Sequence, residues 1–576
     1  MQMKPSTTPS EWLMVGLIML VAAIMSGYTA MIDPVWKPDS AVLVESGVNL
    51  LSGRGFSYRG NPVFVQMPFY GVTAALLDKF VGNIERSAIL VSSLSYLLLI
   101  LAVYRFCRTV FTKEVAFISA VLVAFCPEIL LHSRVSLSES YFSLLYFMSF
   151  STFATLLLYG PTWSKSIAFA LFSGTAFLTR AEGFLPAILA YITLAGIVIL
   201  PKLNRFCWPK HDYKSSVQQI TVSAFLFLLV IAPWLLHVHK HTGTWDLGRG
   251  GAAFLVHDEV VAPGVQPSKE AELYQQYRKD YGQHQKLYTI SSIDYIRNNL
   301  DKILDKTKRN LKILFNIEIS ILLENALVPL LFLFSLLLFF PSQAVISISR
   351  WHRKRNLIAW SVLIYLSPAV VLLLYMVLTR YLLPYQPLLL VVIALMIRNT
   401  MTALPVNRNR LLAAVGIVFF AYLTLPLPGV YYKPQLPEVF KTRLMGDSQQ
   451  VRAAGLWLAE HCVNSGELRL AMPERRDAIL LQFYASNFDV TADHVTEHKK
   501  FFNFQPELLL SDLASLAHRG EIDLIVIQEN DTRQYPEMLK LWNEGEDVTP
   551  LGIFLLHTDN HYKIFTTRRE MKQRCR

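Results

Sequence analysis

The sequence is poor in charged residues and in cysteine. Aspartate, glutamate, lysine and arginine make up 17% of the 576 residues, whereas soluble domains contain about 25%. This low fraction excludes a string of soluble domains, which the length alone would allow. Five cysteines, 26 glycines and 28 prolines also exclude a disulfide scaffold, a collagen-like chain and a low-complexity disordered chain.

Several motifs of familiar enzyme classes are absent as well. The sequence contains no Gly-rich phosphate loop, no nucleophile elbow, no zinc motif and no Asp-x-Asp pair. The enzyme classes that depend on these motifs are therefore not indicated.

The sequence does contain many apolar residues and an excess of basic ones. Hydrophobic residues make up 53% of the chain, and the formal net charge is +11. The segment 430–576 carries about 18 basic and about 21 acidic residues, and the part before it carries about 36 and about 22. The basic excess thus lies in the apolar part, which is typical of the inner loops of a membrane protein and not of a nucleic-acid surface.

Eleven apolar segments are long enough to cross a bilayer as helices, which takes about 17–25 residues each. They are 12–32, 87–104, 114–131, 140–159, 166–180, 184–200, 217–236, 319–341, 357–378, 381–397 and 411–428. The segment 67–81 is also apolar, but it is short and contains Asp78 and Lys79. We expect it to lie on the membrane surface. The sequence therefore predicts a polytopic α-helical membrane protein.

The basic loops determine the predicted orientation. If 67–81 does not cross the bilayer, every short basic loop falls on the inner side, as the positive-inside rule requires. The basic residues of these loops are Arg105, Arg108, Lys113, Lys165, Lys202, Arg205, Lys210, Lys214, Arg350, Arg353, Lys354, Arg355, Arg398, Arg408 and Arg410. The N-terminus is then cytoplasmic, and the outer side of a plasma (inner) membrane receives the loops 33–86 and 237–318 and the segment 430–576.

Two domains are predicted from this organisation. Residues 1–429 form the membrane domain, and 430–576 form a soluble α/β domain outside the cytoplasm. In the second domain, Asp447–His461 has a helical pattern and Ser511–His518 fits a further helix. Strands are predicted at Glu467–Met472, Ile522–Gln528 and Tyr562–Thr567.

The first outer loop contains a candidate catalytic base. Asp39 precedes a helical pattern at Ala41–Leu51, and Glu45, a candidate for substrate binding, lies nearly two turns later. Asp39 is either a helix N-cap or a carboxylate that accepts a proton from an incoming hydroxyl at the membrane surface.

Two further outer connections carry charged candidates. Arg134 and Glu139 lie in a serine-rich connection, and Glu139 opens the next helix. Glu139 either interacts favourably with the helix dipole, or it binds a divalent ion with Asp39 or orients the acceptor. Arg180 and Glu182 in the next outer turn either pair with each other or serve the substrate.

Arg380 and Tyr381 lie between two predicted spans at the outer boundary. Arg380 is either a snorkelling membrane anchor or a planar ligand for a lipid phosphate. Carboxylates and arginines that gather above an apolar bundle suit a lipid-linked anionic substrate.

Two other groups of residues are less informative. His237, His239 and His241 alternate at a helix end, where they point in different directions, so a metal site there is not favoured. Cys462 and Cys575 both lie outside, where they can pair.

The order of these motifs resembles the GT-C superfamily of integral-membrane glycosyltransferases. The similar branch contains the protein O-mannosyltransferases and the lipid A aminoarabinose transferase. The matching motifs, spread over about residues 10–430, are Lys37–Ser40 (KPDS), Gly53–Phe56 (GRGF), Met67–Tyr70 (MPFY), Ser133–Glu139 (SRVSLSE), Gly174–Gly183 (GTAFLTRAEG) and Arg380–Pro384 (RYLLP).

The resemblance implies the GT-C fold and a specific chemistry. A sugar would move from a polyprenyl-phosphate donor to a hydroxyl of a glycan, lipid or protein acceptor on the outer face, with inversion at the anomeric carbon. Asp39 would be the base, and Arg380 would bind the donor phosphate with the help of Arg134 or Arg180.

The resemblance also bears on metal binding. Glu139 corresponds to a second acidic position, which helps to hold a metal in some members. Ser40 stands where many relatives carry a second acidic residue beside the first-loop aspartate, so a divalent ion bound by Asp39 and Glu139 stays an open expectation.

The alternative function is a transporter or flippase for lipid-linked or small anionic substrates. It predicts ionisable residues in the middle of several spans, or pairs of broken helices. Glu324, near the outer end of one span, is the nearest candidate, and the centres of most spans carry no charge. The glycosyltransferase is therefore favoured.

Overall fold

The computed structural model describes most of the N-terminal part of the chain and portions of the C-terminal part. The described residues are 9–32, 38–58, 60–64, 66–200, 207–208, 213–243, 245, 247, 297–298, 300–313, 348–374, 379–403, 446–462, 470–472, 481, 484–485, 501–503, 514–515, 518–519, 522–528, 539, 541–543, 552–559, 561–570 and 575. The predicted spans 319–341 and 411–428 lie outside them.

Helices form nearly all of the N-terminal part. They are α1 (Pro9–Ile32), α2 (Pro38–Leu51), α3 (Phe69–Val81), α4 (Ile84–Val110), α5 (Lys113–Ala124), α6 (Pro127–Ser133), α7 (Glu139–Tyr159), α8 (Trp163–Thr179), α9 (Phe184–Ile199), α10 (Tyr213–Thr242), α11 (Leu300–Ile313), α12 (Ile348–Leu372), α13 (Thr379–Leu382) and α14 (Gln386–Ala403). Single 3₁₀ turns at Ala181–Gly183 and Leu383–Tyr385 lead into α9 and α14.

Six helical segments of the described part are long and apolar enough to cross a bilayer. They are Glu11–Tyr28, Ile84–Val110, Glu139–Tyr159, Ala181–Ile199, Tyr213–Thr242 and Arg380–Asn399. Each coincides with a predicted span. The polytopic helical fold is thereby confirmed.

Three other predicted spans coincide with shorter or interrupted helices. The segment predicted at 114–131 forms two helices, since α5 ends at Ala124 and α6 begins at Pro127. Proline has no backbone N–H and therefore cannot continue the hydrogen bonding of α5. The predicted span 166–180 is the 17-residue helix α8. The predicted span 357–378 overlaps α12, whose apolar stretch is Asn356–Leu372.

Aromatic rings fill the core of the helical part. The Phe106 and Phe150 rings lie 5.2 Å apart, and those of Phe150 and Tyr365 lie 5.5 Å apart. Gly174 allows α8 to approach α10 closely, since a Cβ atom there would lie 2.7 Å from Cγ1 of Val230. Small residues permit such close helix packing in membrane proteins.

The strands lie in two places. β1 (Ser57–Tyr58) and β2 (Asn61–Pro62) form a short antiparallel hairpin after α2. The C-terminal part contains helix α15 (Gly446–His461) and a five-stranded sheet in the order β4-β3-β5-β7-β6. Its strands are β3 (Leu470–Met472), β4 (Phe501–Asn503), β5 (Leu524–Gln528), β6 (Phe554–Thr558) and β7 (Tyr562–Thr566).

The sheet is mixed and confirms the predicted α/β character of this part. β3 pairs in parallel with β4 and β5, whereas β7 pairs antiparallel with β5 and β6. Cys462 and Cys575 form a disulfide across 113 residues of sequence.

The chain divides into two compact units. One contains residues 1–34, 64–255 and 287–441, and the other contains 35–63, 256–286 and 442–576. In this division α2 and the β1–β2 hairpin belong to the second unit, with the C-terminal sheet.

Candidate active site

A sharp turn between α8 and α9 positions two of the candidate charges. α8 ends at Thr179, and the backbone of Arg180 is extended (φ −154°, ψ 139°) before the turn that contains Glu182. Gly183 closes this turn against the end of α8. A Cβ atom at Gly183 would lie 2.8 Å from the backbone N of Phe177, so only glycine fits without a shift of the backbone.

Arg180 joins two buried carboxylates. Its Nη1 donates to Oε1 of Glu139 at 3.0 Å, and its Nη2 donates to Oε1 of Glu182 at 3.1 Å. The exposed fractions of the three side chains are 8%, 3% and 9%. Buried charges are tolerated only when they are well paired, and here the three residues carry a formal excess of one negative charge. Of the two sequence interpretations, the pairing of Arg180 with Glu182 is present, and it is shared with Glu139.

The ring of Tyr381 lies close to two arginines. The guanidinium carbon of Arg180 is 4.8 Å from the ring centroid of Tyr381, and that of Arg380 is 5.2 Å from it. Arg380 Nη2 also lies 3.4 Å from the Tyr381 hydroxyl oxygen, to which it donates a hydrogen bond. Arg180 lies in addition 5.8 Å from the Phe142 ring. Arginine is attracted to aromatic faces in this geometry.

Electrostatic interactions complete the group around Glu139. Arg180, His132 and Arg380 all interact electrostatically with its carboxylate. The structure therefore brings together Glu139, Arg180, Arg380 and Tyr381, four of the residues predicted from sequence. We call these residues, with Glu182, the charged cluster.

The serine-rich connection before α7 is buried, although it is a loop. Ser26 of α1 hydrogen-bonds the Ser133 hydroxyl at 2.9 Å, and Ser93 of α4 donates to the Ser133 carbonyl at 2.9 Å. Ser92 of α4 donates to the Leu137 carbonyl at 3.3 Å. Two hydroxyl groups of α4 thus donate to backbone carbonyls of this segment, as burial requires, and a hydroxyl of α1 contacts the Ser133 side chain.

Arg134 lies within this connection and is 1% exposed. Glu139, at the first position of α7, is 2% exposed. Its place at a helix N-terminus is favourable for a carboxylate. Glu139 can therefore interact with the helix dipole and form the ion pair with Arg180 at the same time.

The motif that begins at Met67 anchors α3. The Tyr70 hydroxyl donates to the Ala88 carbonyl at 2.9 Å and lies 3.2 Å from the Ser92 hydroxyl, which itself contacts the buried connection. The ring of Phe69 stacks on that of Tyr141 with centroids 5.6 Å apart. These contacts tie α3 to α4 and α7.

Asp39 and Glu45 belong to the second compact unit. The structure corrects the expected position of Asp39: the helix begins at Pro38, so Asp39 lies in its first turn and is not the N-cap. Proline is favoured in the first turn, because its missing N–H would be unpaired there anyway. Asp39 is half-buried and Glu45 is 2% exposed.

The Gly53–Phe56 motif folds the chain back onto α2. Gly53 and Gly55 both have φ of +77°, a conformation that other residues rarely adopt. Between them, Arg54 donates from Nε to Oδ1 of Asn49 at 3.0 Å, and Asn49 donates to the Ser57 carbonyl at 2.8 Å.

The predicted histidine group does not form a metal site among the described residues. The ring centroids of His237 and His241 lie 4.9 Å apart on one side of α10. The His239 ring instead stacks on the Trp245 ring, with centroids 4.1 Å apart. No group of three His, Cys, Asp or Glu side chains in the described part of the chain has the geometry to hold a metal ion.

Two tyrosines that sequence reasoning missed extend the charged cluster. The rings of Tyr146 and Tyr385 pack edge to face 5.7 Å apart, and the charge of Glu182 acts on both hydroxyls. Tyr146 lies two helical turns after Glu139, on the same face of α7. Tyr385 directly follows the Arg380–Pro384 motif. These spacings are the signals from which both could have been found.

Comparison with known proteins relates this arrangement to membrane glycosyltransferases. A family model described as dolichyl-phosphate-mannose-protein mannosyltransferase matches residues 65–237, a segment that contains Arg134, Glu139, Arg180 and Glu182. No curated protein matches the sequence significantly.

Solved structures match the fold over nearly the whole chain. ArnT from Cupriavidus metallidurans has 12% sequence identity in both its apo state and its complex with undecaprenyl phosphate, with TM-scores of 0.51 and 0.53. Both matches cover 98% of this chain and 99% of ArnT. The oligosaccharyltransferase of Archaeoglobus fulgidus, in complex with Zn and sulfate, has 14% identity and a TM-score of 0.51, over 93% of this chain and 69% of its own.

These findings agree with the sequence motifs. The family match and the shared fold confirm the resemblance to the GT-C membrane glycosyltransferases. They also support the predicted class of enzyme, a glycosyltransferase.

Proposed function

We propose that this protein is a GT-C glycosyltransferase that moves a sugar from a polyprenyl-phosphate donor to an acceptor hydroxyl. The observation that carries the proposal is the charged cluster, which lies at helix ends and of which Glu139, Arg180 and Glu182 fall within the matched family segment. A fold shared with a protein that was solved with undecaprenyl phosphate supports a lipid-linked donor.

Arg380 is proposed to bind the donor phosphate. Its side chain is only partly buried, so a ligand can reach it, and a guanidinium offers a planar pair of donors to a phosphate. When the bond between the sugar and the phosphate breaks, negative charge develops on the leaving polyprenyl phosphate. A fixed arginine stabilises that charge without reorganisation.

Arg180 and Arg134 are proposed to assist Arg380. Arg180 is held by two carboxylates and touches the same Tyr381 ring as Arg380, so it positions Tyr381 and adds positive potential. Arg134 is buried in the loop before Glu139 and is proposed to add positive potential. Glu139 is proposed to fix Arg180.

Asp39 is proposed to act as the catalytic base, and Glu45 to help bind the substrate. The acceptor oxygen attacks the anomeric carbon and forms the new glycosidic bond, while the bond to the phosphate breaks on the opposite side. Asp39 takes the hydroxyl proton, and the polyprenyl phosphate leaves as an anion. This single displacement inverts the anomeric configuration.

The residues of the charged cluster do not fit a divalent ion. Glu139 already pairs with Arg180, and it also interacts electrostatically with His132 and Arg380. Cation sites for Ca²⁺ or Mg²⁺ use several oxygen ligands and an excess of negative charge. No step of the proposed reaction is therefore assigned to a metal.

The protein is proposed to lie in the plasma (inner) membrane with its N-terminus inside and its C-terminal domain outside the cytoplasm. The distribution of basic loops supports this orientation. The disulfide between Cys462 and Cys575 supports it independently, because disulfides persist in oxidising compartments and are rare in the cytosol.

The position of the buried charges disfavours the alternative of a transporter. Glu139 opens α7, Arg180 and Glu182 follow α8, and Arg380 precedes α14. A transporter predicts ionisable residues near the middle of its spans, whereas these four lie at helix ends.

The proposal can be tested with purified full-length protein in nanodiscs. The protein would be incubated with undecaprenyl-phosphate-linked hexoses and pentoses and with candidate acceptors, and released undecaprenyl phosphate would be measured. We expect Arg380→Ala to reduce turnover by about 10²–10³-fold and Arg380→Lys to restore part of it.

Arg398→Ala is the matched control. Arg398 lies on α14 and contacts only its neighbour Asn399 among the hydrogen bonds of its side chain in the described part, so its loss should leave turnover unchanged. Full turnover in Arg380→Ala, or no turnover of any lipid-linked sugar by the parent protein, would contradict the proposal.

A further inference from the structure

Helix α11 presents three different faces, although it lies in a segment that the sequence predicted only as a long outer loop. Its packed face consists of Ile303, Lys306 and Asn310, each 4% exposed. Asn310 Nδ2 donates to the Leu373 carbonyl at 2.9 Å, directly after the end of α12. One side of the helix is therefore buried, and a hydrogen bond joins this side to the residue after α12.

A second face is an exposed stripe of leucines. Leu300, Leu304 and Leu311 are 56%, 49% and 40% exposed. At about 100° per residue they fall within about 40° of one another around the helix, and about 100° away from the packed face. The stripe thus lies on a different side of α11 from the buried face and from the hydrogen bond to Leu373.

The third face carries the charges. Asp301, Lys302, Asp305, Lys308 and Lys312 are exposed, and Arg309 is partly exposed. Asp305 and Lys308 pair at 3.3 Å, which leaves an excess of basic groups on this face. In a fully solvated helix, an exposed leucine stripe beside a basic face would be unfavourable, but this arrangement suits a helix that lies in a membrane interface.

We propose that α11 lies on the lipid surface, with Leu300, Leu304 and Leu311 in the boundary of the acyl chains and its basic residues at anionic headgroups. Charge complementarity favours an anionic lipid surface, since the charged face has four basic and two acidic residues. The contact with Leu373 holds the helix at the end of the apolar helix α12, where a bilayer surface is expected.

Helix α3 provides an internal comparison. Leu76 and Phe80 of α3 are 46% and 88% exposed, and the sequence predicts that this helix lies on the membrane surface. α11 is then a second helix of the same kind, attached to a different part of the bundle. This inference rests on α11 alone and does not depend on the proposed reaction.

The inference can be tested with an environment-sensitive fluorophore on the full chain. Leu304→Cys and, as the matched control, Lys312→Cys would be labelled in nanodiscs of phosphatidylcholine and phosphatidylglycerol. Both positions are exposed, so neither change disturbs the fold. The parent protein is treated with the same fluorophore, and the signal from its own cysteines is subtracted as background.

We expect the probe at position 304 to be quenched several-fold more strongly by doxyl-labelled lipids than the probe at position 312. An aqueous quencher should show the reverse order. Replacing phosphatidylglycerol by phosphatidylcholine should weaken lipid quenching at position 304, because the basic face then lacks anionic partners.

Two results would overturn the inference. Equal quenching of both positions by the aqueous quencher would place the leucine stripe in water. A probe at position 304 that neither quencher reaches would show that the stripe packs against protein.

Discussion

The helical bundle and the C-terminal sheet both bury charged groups, but they do so differently. In the bundle, Arg180 lies between Glu139 and Glu182, and all three side chains are at most 9% exposed. In the sheet, the fully buried Asp523 pairs at 2.6 Å with Arg568, whose side chain is 50% exposed. In the sheet, the partner of the buried carboxylate reaches solvent, whereas in the bundle all three charged side chains are buried.

The difference favours the charged cluster over the buried pair of the sheet as a candidate for the proposed reaction. Enclosed ion pairs rarely add net stability, because the cost of removing charges from water is about as large as the attraction that they gain. A site that retains them is therefore a candidate for function. The C-terminal part instead shows features that stabilise a fold. Leu524 to Ile527 of β5 are fully buried, and Cys462, directly after α15, forms a disulfide with Cys575.

Removal of the central arginine of the cluster should have the largest effect. Arg180→Ala leaves two buried carboxylates without their shared partner, which we expect to destabilise the bundle by about 3–5 kcal/mol. Arg568→Ala should cost less, about 1–3 kcal/mol, because water can replace a half-exposed side chain. Thermal unfolding with region-resolved hydrogen exchange in nanodiscs measures both, and equal losses would remove the distinction between the two regions.

Removal of the disulfide should destabilise the C-terminal part alone. Cys462→Ser combined with Cys575→Ser opens a link across 113 residues, and losses of native disulfides typically cost about 2–5 kcal/mol. Hydrogen exchange should rise in β5 and β7 and stay unchanged in α4 and α7. Alkylation of the parent protein in whole cells checks the orientation: Cys462 and Cys575 should resist maleimide until a reductant is added. Labelling of these two cysteines without a reductant would contradict an oxidising compartment.

Gly183→Ala adds a methyl group to the turn after Arg180 and should lower the stability of the fold by about 1–3 kcal/mol through overpacking. In Gly183→Ala the new Cβ atom meets the backbone of Phe177 at 2.8 Å, whereas in Gly196→Ala of α9 it meets nothing within 4 Å. The second variant should be neutral, or more stable by up to about 1 kcal/mol, because alanine favours the helix. A thermal shift of equal size in both would show that the turn is not tightly packed.

The smallest expected effect is a pH dependence in the sheet. Burial lowers the pKa of the His557 imidazole below its ordinary value, against the opposing charge of Asp559. The unfolded chain then binds the proton more readily, so this contribution to stability is present above about pH 6.5 and is lost as the pH falls through the lowered pKa. The protection of β6 against hydrogen exchange, corrected for the intrinsic pH dependence of exchange, should fall in acid, and His557→Gln should flatten the dependence.

Much of the architecture was predictable from the sequence, because membrane spans and short apolar strands leave clear patterns. The helix predicted at Asp447–His461 is α15, and the strands predicted at Ile522–Gln528 and Tyr562–Thr567 are β5 and β7. β6 was missed, since Phe554–Thr558 is a short edge strand with no alternation of buried and exposed residues. α11 was missed because its charges dominate its composition.

The candidate site was predictable only in part. Sequence patterns selected Glu139, Arg180 and Arg380 individually, from their positions at helix ends. They could not show that the Tyr381 ring lies beside both arginines, because this contact depends on how distant helices pack. For the same reason, the sequence could not show whether Arg180 pairs with Glu182 alone or with both Glu182 and Glu139.

Asp39 is proposed to take the acceptor proton during transfer from a lipid-linked donor. The most direct test compares Asp39→Asn with the parent protein for donor binding and for release of undecaprenyl phosphate. Asp78→Asn is the matched control, because Asp78 is a second carboxylate of the predicted outer loop and contacts Ser87. We expect Asp39→Asn to bind the donor normally and to lose about 10²–10⁴-fold in turnover, with Asp78→Asn unaffected. Turnover at the parent rate in Asp39→Asn would contradict the account.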